Sequence, residues 1–232
     1  MMPTYSTVFF DLDHTLWDFN LNCAETLEEL YDLYQLKQFG FSIPDFQKTY
    51  RYINDSMWDG YHKNIVTKEE LRTERFPRTF KMLGIAEEKV PQRLDQHFIE
   101  LCPTKPHVHP NTFEILTYLK DKGYALHIIT NGFSETQHVK MKHSGLESYF
   151  DELIHADHTG HKKPEARIFE YALEITNSKK ETSIMIGDDL VADVLGAKNA
   201  GFGHVYYNRD RKSHSEQIQY EIINLIELKN IL

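Results

Sequence analysis

The chain is poor in cysteine and in positive charge. Its 232 residues contain 2 cysteines, Cys23 and Cys102, which lie far apart in the sequence. This spacing argues against a disulfide framework and against a zinc site. Lysine and arginine together number 26, against 35 aspartates and glutamates, so the formal net charge is -9. An acidic chain repels nucleic-acid phosphates, and we expect no nucleic-acid polymer among its partners.

Long hydrophobic runs are also missing. No apolar stretch approaches the ~18 residues that cross a bilayer, so we expect no membrane association. No lysine or arginine precedes the apolar stretch at 7–10, whereas a signal peptide begins with basic residues. We therefore expect a cytoplasmic protein. Hydrophobic residues nevertheless make up 41% of the chain, enough to build a sizeable core.

Short apolar runs alternate with helical segments over much of the chain. Each run is too short for a core helix and apolar on both faces, which predicts buried parallel strands. The predicted strands are residues 7–10, 124–129, 152–154, 183–186 and 204–207. The predicted helices are residues 112–122, 134–144 and 165–176 and a segment that ends at Ala200. This alternation predicts an α/β fold with a doubly wound, Rossmann-like parallel sheet.

Residues 20–105 break the alternation. The stretches 43–54 and 69–83 are compatible with helices, and no convincing strand occurs between residues 20 and 105. Several prolines near residue 105 mark the return to the sheet. We predict a core formed by residues 1–19 and 106–232, with a helical insertion at 20–105.

Polar side chains follow the predicted strands, at the edge where open α/β sheets bind ligands. In chain order they are Asp11, Asp13, Thr130, Asn131, Lys162, Lys163, Asp188, Asp189 and Asp193. Carboxylates without histidine or cysteine partners form the hard oxygen site that Mg²⁺ prefers. A carboxylate can also attack phosphorus, while hydroxyl and ammonium groups stabilise the phosphoryl oxygens. The set therefore predicts phosphoryl transfer through an aspartyl-phosphate.

The same residues resemble the four motifs of the haloacid dehalogenase-like hydrolase superfamily. The motifs are Asp-x-Asp-x-Thr from Asp11, Thr-Asn-Gly from Thr130, Lys163-Pro164, and Gly-Asp-Asp-x-x-x-Asp from Gly187. The resemblance covers the whole chain and includes a helical cap inserted after the first motif. Residues 15–19, the stretch 50–61 and Arg75-Phe76 are similar to the branch of house-cleaning pyrimidine 5′-nucleotidases.

The resemblance implies roles for the carboxylates. Asp11 would be the nucleophile, and Asp13 the general acid that protonates the leaving alkoxide and later activates water. Asp11, the backbone carbonyl of Asp13 and the Asp188 side chain would hold Mg²⁺. Asp189 or Asp193 would stand behind them as indirect partners of the ion. A halide leaving group needs no proton, so Asp13 favours phosphate esters over haloacids.

The resemblance also implies how the phosphoryl group is bound. Thr130 and the backbone N–H of Asn131 would contact it, and Lys163 would pair with Asp11 and the phosphate. Lys163 is preferred over Lys162 only because it directly precedes the proline, as in the family motif.

Several of these side chains have a simpler structural interpretation. Asp188 and Asp189 could cap the start of a helix, and Asp193 could lie on a helix surface. The spacing of His155, His158 and His161 suggests a shared helical face, but the neighbouring polar residues predict a loop and argue against zinc.

The insertion offers candidate substrate contacts. Asn54, Trp58 and Tyr61 recur at helical spacing and could face a substrate, although such stripes are more often core, and for Trp58 we favour packing. Arg75 is a further candidate, and Trp17 could either stack on a base or seal the hinge between core and insertion.

The sequence thus predicts a Mg²⁺-dependent phosphatase that acts on a small phosphate ester. The resemblance implies that its substrates are nucleoside 5′-monophosphates, with pyrimidine nucleotides preferred. The alternatives are a sugar-phosphate or phosphoglycolate phosphatase and a phosphoglucomutase. A 2-haloacid dehalogenase and a non-catalytic binding module are disfavoured, because Asp13 and all four motifs are present.

Overall fold

A parallel sheet of six strands carries the polar strand ends predicted from the sequence. The structure, a computed structural model, describes residues 5–232. The strands are β1 Thr7–Phe10, β2 Ala125–Thr130, β3 Glu152–His155, β4 Ser183–Gly187, β5 Gly203–Tyr207 and β6 Tyr220–Ile222. Their order in the sheet is β3-β2-β1-β4-β5-β6, and neighbouring strands are parallel.

The order of the strands determines where the sheet can bind a ligand. In β1, Thr7 is paired with Ala125 of β2 on one side and with Ser183 of β4 on the other. The chain adds β2 and β3 on one side of β1 and the later strands on the other. In such sheets ligands bind outside the carboxyl ends of the strands where the order reverses, here β1 and β4. The predicted doubly wound α/β fold is confirmed.

Helices alternate with these strands and form a separate group between β1 and β2. Within residues 5–232 the α-helices are α1 Phe19–Leu33, α2 Ile43–His62, α3 Lys68–Thr73, α4 Arg75–Met82, α5 Leu94–Leu101, α6 Thr112–Asp121, α7 Ser134–His143, α8 Ala156–Thr159, α9 Ala166–Ile175 and α10 Gly196–Ala200. All four residues of β1 are buried, as expected for a strand covered on both faces. No helix in this part of the chain combines the length and the apolar character that a membrane span requires.

The chain divides into two compact units. One contains the stretch up to Phe19 together with Pro106–Leu232, and the other contains Asn20–Lys105. We call them the core unit and the helical unit. The core unit holds the sheet, and the helical unit holds most of α1 and all of α2 to α5.

Aromatic side chains form the interior of the helical unit. Phe46, Tyr50 and Phe76 are fully buried, and the Tyr50 ring centroid lies 4.8 Å from that of Phe76. Two of its helices begin at polar caps: at the start of α2, Ser42 accepts a hydrogen bond from the Asp45 N–H, and at the start of α3, Thr67 forms a capping box with Glu70. The unit is therefore built from helices with their own apolar core.

The structure differs from the sequence-based expectations at three places. The stretch 69–83, which is compatible with helix, contains two helices, α3 and α4, because Pro77 has no N–H to donate to the carbonyl four residues earlier. The loop predicted around the three histidines contains the single turn α8, which Gly160 ends with a φ of 71°. Strand β6 was not predicted, since only Ile222 of its three residues is buried and it has no apolar run.

Candidate active site

Asp11 and Asp13 leave β1 at the carboxyl edge of the sheet. The Asp11 N–H donates to the Ile186 carbonyl at 2.9 Å, which extends the pairing of β1 with β4. Leu12 between the two acids is fully buried. The chain then turns through residue 14, whose φ is 65°, and the Trp17 N–H donates back to the Leu12 carbonyl at 2.8 Å. This turn holds Asp13 close to the end of the strand.

Lys163 lies at the centre of the site and is 1% exposed. Its Nζ donates to Asp11 Oδ1 at 2.6 Å and to the Ile129 carbonyl at 2.6 Å, and forms an ion pair with Asp193 Oδ1 at 2.7 Å. Burial lowers the pKa of the ammonium, but Asp11 and Asp193 raise it more, so the net pKa is raised. An ammonium has three protons, and these three acceptors can use all of them.

Three carboxylates converge beside this lysine. One carboxylate oxygen from each of Asp11, Asp188 and Asp193 lies within 4.8 Å of the other two. Burial raises the pKa of Asp11 to about 7 and that of Asp193 to about 6, with Lys163 opposing both shifts. Desolvation and the neighbouring Asp11 raise the pKa of Asp188 to about 8. The cluster holds more negative charge than Lys163 balances, and oxygen ligands in this number suit a divalent cation such as Mg²⁺.

The fourth motif is fixed to the first by Thr15. The Thr15 hydroxyl donates to Asp188 Oδ1 at 3.1 Å and accepts from the Asp188 N–H at 3.1 Å. Thr15 is fully buried and belongs to the first motif, but its position in the sequence does not predict a role of its own. It orients Asp188 toward the carboxylate cluster.

Asp189 and Asp193 have different roles in the loop after β4. Asp189 Oδ1 accepts from the Val191 and Ala192 N–H groups at 2.8 Å each and caps the π-helical turn Leu190–Leu195. Asp193 Oδ2 accepts from the Asp189 N–H at 3.0 Å, while its other oxygen faces Lys163. Asp193 therefore lies in the cluster and anchors the lysine, whereas Asp189 shapes the loop.

Thr130 and Asn131 lie at the end of β2 and are buried. The Asn131 side chain donates to the Lys163 carbonyl at 2.9 Å and accepts from the Lys163 N–H at 2.8 Å. Thr130 Oγ1 accepts from the Gly132 N–H at 3.0 Å. Asn131 thus holds the backbone of Lys163, in addition to the phosphate contact predicted for its N–H.

Comparison with known proteins agrees with these motifs. A family model described as haloacid dehalogenase-like hydrolase matches residues 8–206. The chain belongs to the haloacid dehalogenase-like hydrolases. The family resemblance inferred from the four motifs is therefore confirmed.

Relatives of this hydrolase are similar over its whole length. It is 30% identical to the pyrimidine 5′-nucleotidase YjjG of Escherichia coli over 228 residues, which are 97% of this chain and 96% of that protein. It is also 30% identical to a glyceraldehyde 3-phosphate phosphatase of Methanothermobacter thermautotrophicus over 234 residues, 97% of this chain and 98% of the other. The crystal structure of the HAD-hydrolase YfnB from Bacillus subtilis bound to magnesium has a TM-score of 0.86 at 29% identity and covers 98% of each chain.

Sequence reasoning missed two polar side chains of the hydrolase on α7. Lys140 Nζ donates to Asp13 Oδ1 at 2.6 Å, and Gln137 Nε2 donates to Asp13 Oδ2 at 2.8 Å. Burial raises the pKa of Asp13, but Lys140 and Gln137 outweigh it, and the net pKa is lowered. The available signal was their spacing of three on a helix that directly follows the Thr-Asn-Gly motif.

The candidate substrate residues of the hydrolase lie in different environments. In the helical unit the buried Arg75 donates to Asn54 Oδ1 at 3.2 Å, and its guanidinium lies 5.2 Å from the Phe98 ring centroid. Trp58 and Tyr61 are partly exposed on α2, with ring centroids 5.6 Å apart. In the core unit Trp17 is fully buried, which favours the packing alternative for this residue.

Proposed function

We propose that this hydrolase is a Mg²⁺-dependent phosphomonoester phosphatase whose substrates are nucleoside 5′-monophosphates, with pyrimidine nucleotides preferred. The observation that carries the proposal is the buried Asp11–Lys163 pair with a second carboxylate, Asp13, two residues away. A nucleophile, a cation for the phosphoryl charge and a proton donor for an alkoxide are the parts that this reaction needs. Whole-length similarity to a pyrimidine 5′-nucleotidase supports the substrate class.

The donor set of the site fits Mg²⁺. Asp11 and Asp188 would hold the ion through their side chains and Asp13 through its backbone carbonyl, while Asp193 stays with Lys163. The raised pKa values of Asp11 and Asp188 mark a buried negative charge that a divalent cation would neutralise. The ion would supply positive charge for the phosphoryl oxygens. The magnesium-bound crystal structure of YfnB supports this choice of metal.

The residues of the core unit can carry both halves of the reaction. In the first half, an Asp11 oxygen bonds to phosphorus as the ester bond from phosphorus breaks, and Asp13 gives its proton to the departing alkoxide. In the second half, Asp13 takes a proton from water as the water oxygen bonds to phosphorus and the Asp11–phosphorus bond breaks. Inorganic phosphate leaves and Asp13 is protonated again. Thr130 and the Asn131 N–H hold the phosphoryl oxygens throughout, and the Lys163 ammonium supplies positive charge beside them.

The helical unit is proposed to act as the cap that selects the substrate. Trp58 and Tyr61 are the candidates there for contacts to the organic part of the ester, because both rings are partly exposed. Asn54 and Arg75 are candidates for its polar groups. A Trp58→Leu variant that changes the preference among nucleotides, with hydrolysis of p-nitrophenyl phosphate unchanged, would support this division of roles.

A panel of substrates tests the proposal. Phosphate release with Mg²⁺ is measured for pyrimidine and purine nucleoside 5′-monophosphates, glyceraldehyde 3-phosphate, hexose phosphates and phosphoglycolate. We expect the highest kcat/KM for a pyrimidine 5′-monophosphate and no turnover in excess chelator. Turnover that persists without metal would contradict the Mg²⁺ assignment.

One specific comparison favours a second candidate function. A glyceraldehyde 3-phosphate phosphatase is similar to the chain at the same identity and coverage as the nucleotidase, and it supports a small sugar phosphate as the substrate. A kcat/KM for glyceraldehyde 3-phosphate above that for every nucleotide would replace the nucleotidase assignment with this one. The core chemistry would be unchanged, since both substrates release an alkoxide.

A further inference from the structure

The Asp13 carboxylate is held at both oxygens by one helix. Lys140 Nζ donates to Oδ1 at 2.6 Å, and Gln137 Nε2 donates to Oδ2 at 2.8 Å. The two residues lie three positions apart on α7 and therefore share one face. Lys140 is 8% exposed and Gln137 is fully buried, so water competes weakly for these bonds. An aspartate that has to reach a leaving group is thus held in one orientation.

Lys140 is itself constrained by an aromatic ring. Its Nζ lies 4.6 Å from the centroid of the Trp17 ring, within the range of a cation–π contact. Trp17 follows the turn after Asp13 and is fully buried. The ammonium is therefore fixed between a ring and a carboxylate of the same loop.

Gln137 connects Asp13 to the phosphate-binding hydroxyl. Its Nε2 also donates to Thr130 Oγ1 at 2.7 Å, and the same oxygen accepts from the Gly132 N–H at 3.0 Å. A hydroxyl oxygen has two lone pairs and one proton. Because both lone pairs are occupied, the Thr130 proton is left for an acceptor such as a phosphoryl oxygen.

The second motif leaves room for this amide. A Cβ at Gly132 would lie 2.1 Å from Gln137 Nε2, far inside contact distance. Any side chain at position 132 would push the Gln137 amide away from Asp13 and Thr130. The glycine of Thr-Asn-Gly therefore has a role that depends on a helix residue five positions later.

We infer that Gln137 and Lys140 are positioning residues that orient the Asp13 carboxylate toward the leaving group, with Gln137 also orienting the Thr130 hydroxyl toward the phosphoryl group. The inference rests on the proposed function, because the two residues act through Asp13 as the proton donor. They touch no reacting atom and add no chemical step. The alternative is that they only stabilise α7 against the sheet.

Leaving-group dependence separates the two roles. An alkoxide needs a proton from Asp13, whereas p-nitrophenolate leaves without one. We compare kcat/KM for a nucleoside 5′-monophosphate with kcat/KM for p-nitrophenyl phosphate. In Lys140→Met we expect the ratio of nucleotide to nitrophenyl ester to fall by about 100-fold, within the range of general acid catalysis. A purely structural role would lower both values together and leave the ratio unchanged.

Three variants extend the test beyond one substitution. Gln137→Met and Gly132→Ala should lower the same ratio and should also raise KM for both esters, because the Thr130 hydroxyl loses its orientation. Lys140→Arg keeps the charge and should recover most of the ratio. Thermal unfolding and circular dichroism are measured for each variant, and Gly132→Ala and Gln137→Met decide the question if Lys140→Met does not fold.

Two controls assign a failure to its cause. Lys142→Met removes an exposed lysine of the same helix and should leave the ratio unchanged. Asp13→Asn should give the largest fall in the ratio, and a normal ratio in this variant would overturn the role of Asp13 in the proposed function. If Asp13→Asn lowers the ratio while the folded Lys140 and Gln137 variants keep it, the inference alone is wrong.

Discussion

At the scale of single residues, Lys163 explains how a buried acidic site can be stable. Its ammonium meets Asp11, Asp193 and the Ile129 carbonyl within 2.7 Å. Asp11 nevertheless keeps a raised pKa, because burial outweighs the attraction of the lysine. Burying the charged Asp11, which the reaction needs, therefore lowers the stability of the folded state.

Asp11→Asn should abolish activity without loss of the fold. The amide cannot attack phosphorus, so we expect phosphate release to fall by at least about 10³-fold. Lys163 keeps Asp193 and the Ile129 carbonyl as partners, and one buried charge is removed, so Tm should be unchanged or higher. Phosphate release and thermal unfolding measure the two effects.

Asp210→Asn is the matched control, since Asp210 is an exposed aspartate of the core unit. It should leave both activity and Tm unchanged. Near-normal turnover by Asp11→Asn would remove this carboxylate from the role of nucleophile.

The pH dependence of stability should reveal the excess negative charge of the carboxylate cluster of Asp11, Asp188 and Asp193. The folded pKa values of Asp11 and Asp188, about 7 and about 8, lie above the ordinary value, so the folded state binds more protons than the unfolded state. Stability then falls as pH rises toward these values and levels off above them. In chelator, Tm should decrease between about pH 6.5 and about pH 8, and Mg²⁺ should raise Tm more at the higher pH.

Asp188→Asn provides the comparison, because it removes one of the two titrating groups. Its Tm should depend less on pH over the same interval. Buried histidines such as His109, whose pKa is lowered to about 4, oppose this slope only until the unfolded imidazoles are deprotonated, at about pH 7.5. A wild-type Tm in chelator that rises across this pH interval would contradict the claim that the carboxylate cluster holds more negative charge than Lys163 balances.

At the scale of elements, the strand ends are shaped by glycines that leave space for side chains from other segments. A Cβ at Gly187, the last residue of β4, would lie 2.1 Å from Asp193 Oδ2. The carboxylate that anchors Lys163 occupies that space. The glycine of this motif is therefore required by packing at the end of β4.

Gly187→Ala should disturb the site through Asp193. The new methyl group must displace a buried, ion-paired carboxylate, so we expect a loss of about 1–3 kcal/mol in stability. The activity should fall by about 100-fold as Lys163 shifts from its position. Denaturant unfolding and phosphate release measure the two quantities.

Gly123→Ala separates the effects of strain and of position. Gly123 lies just after α6 and has a φ of 84°. A Cβ added there would have no atom within 4 Å apart from its neighbours in the chain. We expect a cost of about 1–2 kcal/mol from the left-handed backbone, with activity unchanged. Equal losses of activity in both variants would contradict a specific role for Gly187.

The elements that the sequence predicted are those with strong local signals. Five buried strands are visible as apolar runs, and the structure has positive φ at Gly123, Gly145 and Gly201, which directly follow predicted helices. Strand β6 has no such run, because it lies at the sheet edge with only Ile222 buried. Pro77 could have predicted the break between α3 and α4, but the apolar periodicity of residues 69–83 favoured a continuous helix.

At the scale of the whole molecule, the net charge of -9 coexists with a site for a small anion. We expect duplex DNA to neither inhibit phosphate release nor bind at about 0.15 M salt, because the overall field repels a polyanion while screening shortens its range to about 8 Å. Competition assays and fluorescence anisotropy test this. Inhibition at micromolar DNA would reveal a basic surface that the composition conceals.

The sequence predicts the motif residues of the site, but it does not predict residues whose role depends on tertiary contacts. Asp11, Thr130 and Lys163 each follow a strand or precede a proline, so position along the chain identified them. Gln137 and Lys140 resemble ordinary helix residues, and only the placement of α7 beside the end of β1 reveals their contacts with Asp13. Their role depends on distance in space, which spacing in the sequence does not report.

Formation of the site also depends on how far folding of the chain has advanced. Lys163 meets Asp11 across 152 positions, and Thr15 meets Asp188 across 173. These contacts need the segments on both sides of β1 to have docked, and such long loops close late because their entropic cost is high. When the denatured protein is returned to native conditions, helical signal should therefore recover before turnover. Recovered turnover then measures the completion of the sheet.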